Sequence, residues 1–194
     1  MKNNLRRLFY PLTIMSFLLS GIILVTGCSS TNIVKSTPQD QNVKTIKTVI
    51  EKQFTGPDIK LIEMLTSEEN VTVIGKDGEA TQPPKNTELE KYYEKTFQPY
   101  FTERMYNNFI AAYAFNYQFL VHKSGYQIKV DNIDIKKIET TEGAYEFKVN
   151  ILYGKDGSKK KDAEVSGRVY FNTDGKITNI RYLDDGGFTK EMNN

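Results

Sequence analysis

The longest apolar stretch of the chain runs from Leu8 to Val25 without a charge, and everything after it is patterned in shorter periods. Ser29 to Gln41 is polar and aperiodic, and reads as a tether. From Asn42 the apolar positions fall three and four apart, at Val43, Ile46, Val49, Ile50 and Phe54, the spacing of one helix face. Gly56-Pro57 ends that helix, and Pro57 suits the first turn of a second, short one over residues 58–65 with Ile59, Ile62 and Leu65 toward the core. Val71 to Ile74 fits a short strand or an extended segment. Lys76 to Asn86 holds Asp77-Gly78 and Pro83-Pro84 and reads as a loop. Thr87 with Glu90 three residues on has the spacing of a capping box.

Residues 88–121 are the richest aromatic stretch of the chain, with 11 of its 23 aromatic side chains, and Pro99 divides them into two predicted helices, because proline breaks the hydrogen-bond ladder before it. In the second of these, Met105, Phe109, Ala112, Asn116 and Leu120 form one stripe. Tyr106, Ile110, Tyr113, Tyr117 and Val121 form another. A helix apolar on most sides is buried. Gly125 is its predicted C-cap. From Tyr126 the period becomes two. Tyr126, Ile128 and Val130 alternate, and the phase then shifts at Asp131-Asn132 before Ile133 and Ile135, which predicts a bulge. Tyr145 to Tyr153, Ala163 to Phe171 and Ile177 to Tyr182 complete four strands, with turns at Glu142-Gly143, Gly154 to Ser158 and Asn172 to Gly175.

Helices followed by a run of strands imply an α+β domain over 42–187, with helices on one face of a four-stranded antiparallel sheet, and a frayed tail at 188–194. This element order, with its bulged first long strand, resembles the cystatin-like cone of the nuclear transport factor 2-like superfamily; a plain cystatin-like helix-on-sheet domain is the alternative. The resemblance implies a curved sheet that wraps a helix and leaves a pocket at the open end. In enzymes of that superfamily a His or Asp often stands in the pocket.

Charge and the single cysteine change the picture at the amino terminus. Lys2, Arg6 and Arg7 precede the apolar run, as in the positive n-region and apolar h-region of a secretory signal. Val25-Thr26-Gly27-Cys28 closes the run and resembles the lipobox of bacterial lipoprotein precursors. The resemblance implies cleavage after residue 27, a diacylglyceryl Cys28 as the first mature residue, and a tether over 28–41. An uncleaved membrane anchor is the alternative, since the run approaches the length a spanning helix needs. Without the three basic residues of the leader, 23 basic side chains face 24 acidic ones, a formal charge of −1. That balance leaves no electrostatic footprint for nucleic acid. The expected partners are the membrane, through Cys28, and an envelope protein.

Candidate chemistry is sparse. His122, the only histidine, is the candidate general base of a cone pocket, against an ordinary capping or surface histidine near a helix C-terminus. Tyr106, Tyr113 and Tyr117 are candidate pocket residues, each an apolar body with one polar tip, against plain core packing. Asp184-Asp185 reads as a turn, because neighbours on a strand point to opposite faces. Lys159-Lys160-Lys161 is a solvated loop or a contact for anionic lipid. One histidine and one cysteine exclude the usual zinc sets, and no phosphate loop, dinucleotide fingerprint or nucleophile elbow occurs, so no metal, cofactor or catalytic set is expected. Three readings follow: a non-catalytic extracytoplasmic binding or interaction domain, a small-ligand carrier or enzyme using the pocket, and a subunit of a cell-envelope assembly.

Overall fold

Helical periodicity in the first half and alternation in the second give the elements of the computed structural model, which describes residues 38–70, 73–74, 76, 79–81 and 86–193. The residues read as a leader, Cys28 and most of those read as a tether lie outside the described residues. Helix α1 spans Pro38–Gln53 and α2 spans Ile59–Thr66. Two-residue strands β1 (Val73–Ile74) and β2 (Ala80–Thr81) pair antiparallel. Helices α3 (Glu88–Thr96), α4 (Glu103–Ala112) and α5 (Asn116–Ser124) follow. Strands β3 (Gln127–Lys137), β4 (Ala144–Gly154), β5 (Lys161–Phe171) and β6 (Ile177–Asp184) form an open antiparallel meander, and α6 (Phe188–Met192) ends the chain. The domain is α+β, as the order of periods implies.

Local chemistry sets several boundaries. The Thr87 hydroxyl accepts from Glu90 N at 3.2 Å, the forward arm of the capping box, while the Glu90 carboxylate reaches one residue further back and accepts from Asn86 N. Gly125 takes the left-handed conformation (φ 70°), which glycine adopts without steric cost. The β3–β4 register slips between Val130 and Asn132, at the bulge read from the phase change.

Four expectations are corrected. Helix α1 begins at Pro38, inside the segment read as tether; proline tolerates the first helical position, where its missing N–H has no partner to lose. In α2 the buried side chains are Leu61 and Ile62, whereas Ile59 is 54 % exposed and Leu65 is half-buried. The second aromatic helix is broken into α4 and α5, so Ala112 and Asn116 are exposed while Ala114 and Gln118 are buried. The tail is not frayed: Phe188 is wholly buried and Met192 nearly so, because β6 ends on the rim of the core and two apolar side chains fold back over it.

The inner face of the sheet carries Tyr145, Phe147, Val149, Ile151 and Tyr153 from β4 and Val165, Val169 and Phe171 from β5, all buried. Ile46, Val49, Ile50, Phe97 and Phe109 belong to the same buried cluster. The outer face is solvated and charged, with ion pairs Arg168–Glu146 (2.7 Å) and Lys148–Glu164 (2.7 Å).

One buried polar side chain locks the helices to the sheet edge. Gln118 is 1 % exposed; its Nε2 donates to Lys52 O and Thr55 O, and its Oε1 accepts from Asp58 N at 2.9 Å. The Gly56 backbone, held alongside, pairs with Ile128 in both directions (2.9 and 2.8 Å). A Cβ at Gly56 would stand 1.8 Å from Gln118 Oε1 and 2.8 Å from Asp58 N, so the close approach requires glycine. Gln118→Leu keeps the volume but strands these backbone groups. It is expected to cost about 2 kcal/mol, read as a lower urea midpoint with an unchanged slope.

Candidate functional site

The residues singled out by their chemistry are distributed over separate places. Tyr113 and Tyr117 meet at a cavity of about 450 Å³ lined also by Phe119 and Leu120 of α5 and by Tyr182 of β6, with Lys123 and Asn193 among its polar lining residues. Tyr106 instead lines a groove between α3 and α4, beside Glu90, Tyr93 and Glu94. His122 is exposed at the end of α5 and makes no side-chain hydrogen bond or ion pair with any described residue. The expected single pocket of Tyr106, Tyr113, Tyr117 and His122 is thus corrected. Tyr106 faces α3 from the first half of α4, Tyr113 stands at the α4 terminus and Tyr117 lies in α5, and His122 points outward while its neighbour Val121 fills the core.

The α4–α5 break has a polar cause. Gln53, wholly buried at the end of α1, donates its Nε2 to Tyr113 O at 2.8 Å, taking that carbonyl out of the helical ladder. Its Oε1 accepts from the Tyr182 hydroxyl. Gln53 therefore ties α1, the α4–α5 corner and β6 together. Around it the rings pack closely: Tyr117 on Phe54 (4.4 Å between centroids), Tyr113 on Tyr182 (5.3 Å) and Tyr117 near Phe188 (5.9 Å). Burial, with the Asp185 carboxylate as a lesser cause, pushes the Tyr117 phenol up to about 12. Burial likewise holds Tyr182 well above the ordinary phenol value. These phenols stay protonated at neutral pH and serve as apolar walls with hydroxyl tips rather than as bases. Both glutamines escape a reading based on apolar spacing. The available signal was polar: Gln53 follows Ile50 at helical spacing, and Gln118 interrupts an aromatic run.

A larger, polar cleft of about 650 Å³ lies between α1 and the β3 bulge, lined by Lys47, Glu51, Asp58, Tyr92, Asp131 and Asn132. Its Asp58 is already engaged. One carboxylate oxygen accepts from the Tyr92 hydroxyl at 3.1 Å and the other caps α2 by accepting from Leu61 N at 3.2 Å. Burial, then the Asp58 charge and hydrogen bond, push Tyr92 up to about 12.

The remaining motifs are local devices. Asp184 accepts from Gly186 N, and Asp185 from Gly187 N and Thr189 N, each at 3.0 Å, so the acidic pair shapes the turn into α6. Lys160 donates to Gly154 O at 3.2 Å and Lys161 pairs with Glu191. This lysine hairpin follows Gly154, whereas the start of α1 lies at the other end of β4, where Asn42 donates to the Tyr145 hydroxyl (3.4 Å). Along a strand those ends are about 30 Å apart. Among the described residues no group of three or more His, Cys, Asp or Glu side chains could hold a metal ion, and no helix is long and apolar enough to cross a membrane. Comparison with models of known protein families, with curated proteins and with solved structures found no match to this chain.

Proposed function

We propose that the chain is a bacterial lipoprotein precursor, and that its mature part is a non-catalytic binding domain held on the extracytoplasmic face of the membrane by a diacylglyceryl Cys28. The observation that carries this reading is Val25-Thr26-Gly27-Cys28 at the junction of an uncharged apolar run with a polar segment. The position of the first helix supports it. Pro38 stands ten residues beyond Cys28, so whatever path the chain takes, it spans at most about 35 Å. The domain then works close to the headgroups, with the Asn42 end of α1 nearest in sequence to the lipid.

For the domain, a binding role fits better than catalysis. His122 has no carboxylate partner to make it a base, whereas the cavity at Tyr113, Tyr117 and Tyr182 has the apolar walls and sparse polar groups of a small-ligand site. Register slips at Asp131 and at Ser166–Gly167 bend strands, as the cone-like architecture resembled by the sequence would need.

The test is fractionation of a bacterial host expressing the full chain, followed by mass spectrometry of its amino-terminal peptide. The expected result is a membrane-bound chain that begins at Cys28 and carries a diacylglycerol mass on sulfur. A chain recovered from the soluble fraction, or an unmodified Cys28 thiol, overturns the reading.

A further inference from the structure

The cavity at Tyr113, Tyr117 and Tyr182 is apolar along most of its wall and polar at a few points, and those points favour one kind of ligand. Along α5, Asn116, Phe119, Leu120 and Lys123 recur at spacings of three and four, so they share the helix face that lines it. From Asn116 to Lys123 that face runs about 10 Å, with two apolar side chains between the polar ends. Phe119 stands 43 % exposed there, an aromatic ring held partly in water.

Lys123 carries the only charge among the lining residues. Its ammonium makes no ion pair or hydrogen bond with any described residue. The Tyr113 and Tyr117 hydroxyls are likewise without a partner among the described residues, and neither is sealed from solvent. Asp185, whose charge reaches the Tyr117 phenol, lies outside the lining, and its carboxylate already accepts from Gly187 N and Thr189 N. An apolar channel with an unpaired cation at one end and free hydroxyls on its wall suits a molecule with an apolar body and an anionic head. The rings bear on the shape of that body. Tyr182 meets Tyr113 at 53° and Tyr117 at 69°. Rings so inclined offer no parallel pair for a planar aromatic to slot between, whereas a flexible methylene chain packs on ring faces and edges alike.

We propose that this cavity binds a medium-chain aliphatic carboxylate, its chain laid along Phe119 and Leu120 against the tyrosine rings and its head on the Lys123 ammonium. This ligand class rests on the small-ligand reading of the cavity and goes beyond it; the anchor at Cys28 plays no part in it. A volume of about 450 Å³ lies within the roughly 300–1,000 Å³ of small-molecule sites. Octanoate is the probe, and octan-1-ol is its neutral counterpart of the same length.

The experiment is equilibrium dialysis of the purified full chain against each radiolabelled probe, in digitonin, whose rigid steroid body is a poor mimic of an alkyl chain, with protein-free micelles as the blank. Saturable binding is expected, tighter for octanoate than for octan-1-ol, and only the octanoate affinity is expected to fall with added salt. Lys123→Met keeps the stem and removes the charge; it is expected to weaken octanoate about fivefold and to leave octan-1-ol unchanged. Asn116→Trp, a change at an exposed position that fills the channel, is expected to weaken both while the melting temperature holds. Equal binding of the two probes, or a Lys123→Met chain that holds octanoate as tightly as before, overturns the carboxylate but leaves the cavity a ligand site. Failure of both probes to saturate up to several millimolar, or undiminished binding in Asn116→Trp, overturns the site itself. None of these outcomes bears on Cys28, so the cavity and the anchor fail separately.

Discussion

Cys28→Ser is expected to abolish incorporation of radiolabelled fatty acid into the chain. The reason is chemical. A thiolate forms near neutral pH and attacks readily, whereas a serine hydroxyl does not ionise without a dedicated base. Cys28 is the only cysteine, so no second thiol can take up the lipid. The effect is therefore all or none. Each buried methylene of an acyl chain contributes about 0.8 kcal/mol, and two chains hold a protein where one holds it only marginally. Loss of the diacylglycerol removes all of that. Sedimentation is a weaker readout, since the apolar run from Leu8 to Val25 would still favour the bilayer if it stayed uncut. The label decides: its persistence in the serine variant would falsify the lipoprotein reading.

Phe109→Ala should give the largest loss of stability among single changes in the described core. Phe109 is wholly buried, with its ring 4.5 Å from Phe101, 5.2 Å from Phe97 and 6.2 Å from Tyr113. Those rings come from three segments: Phe97 caps α3, Phe101 pairs with the start of β6 at Ile177, and Tyr113 opens the α4–α5 corner. Truncation leaves a cavity that none of the three can fill without giving up its own contacts. A loss of about 3–5 kcal/mol follows. For a domain of this size that lowers the melting temperature by roughly 10 °C. Thermal unfolding followed by circular dichroism measures it, and a drop of only a degree or two would mean that the corner collapses onto the vacancy. Tyr113 lines the apolar cavity, so Phe109→Ala is also expected to loosen that site.

The features legible along the chain are those set within a few residues. Alternation from Tyr145 to Tyr153 identifies a strand and its buried face because successive side chains point to opposite sides. The Thr87–Glu90 cap, the Gly125 terminus and the slip at Asp131 were legible for the same reason: each is a local hydrogen bond, dihedral or phase change. Spacing failed where a distant partner intervened. Residues 103–124 have the periodicity of one helix, yet the carbonyl of Tyr113 is taken by Gln53, sixty positions earlier in the chain. The tail after Asp184 to Gly187 reads as frayed, yet Tyr117 and Tyr153 supply rings for Phe188 to pack on.

The sequence by itself determined the α+β order of elements, the meander and the phase of its strands, since propensity, turn chemistry and period all act over short distances. It also contains the whole case for the proposed anchor, because the lipobox it resembles is a linear motif. Only the tertiary structure decided which tyrosines share a cavity. Tyr106, Tyr113 and Tyr117 are near neighbours in sequence, but the helix breaks at Tyr113, whose carbonyl Gln53 takes, so Tyr106 stays in α4 and Tyr117 starts again in α5. Tyr106 lies beside two carboxylates, and Tyr113 and Tyr117 lie against Tyr182. That division depends on hydrogen bonds and ring contacts between segments far apart in the chain, which no local period encodes.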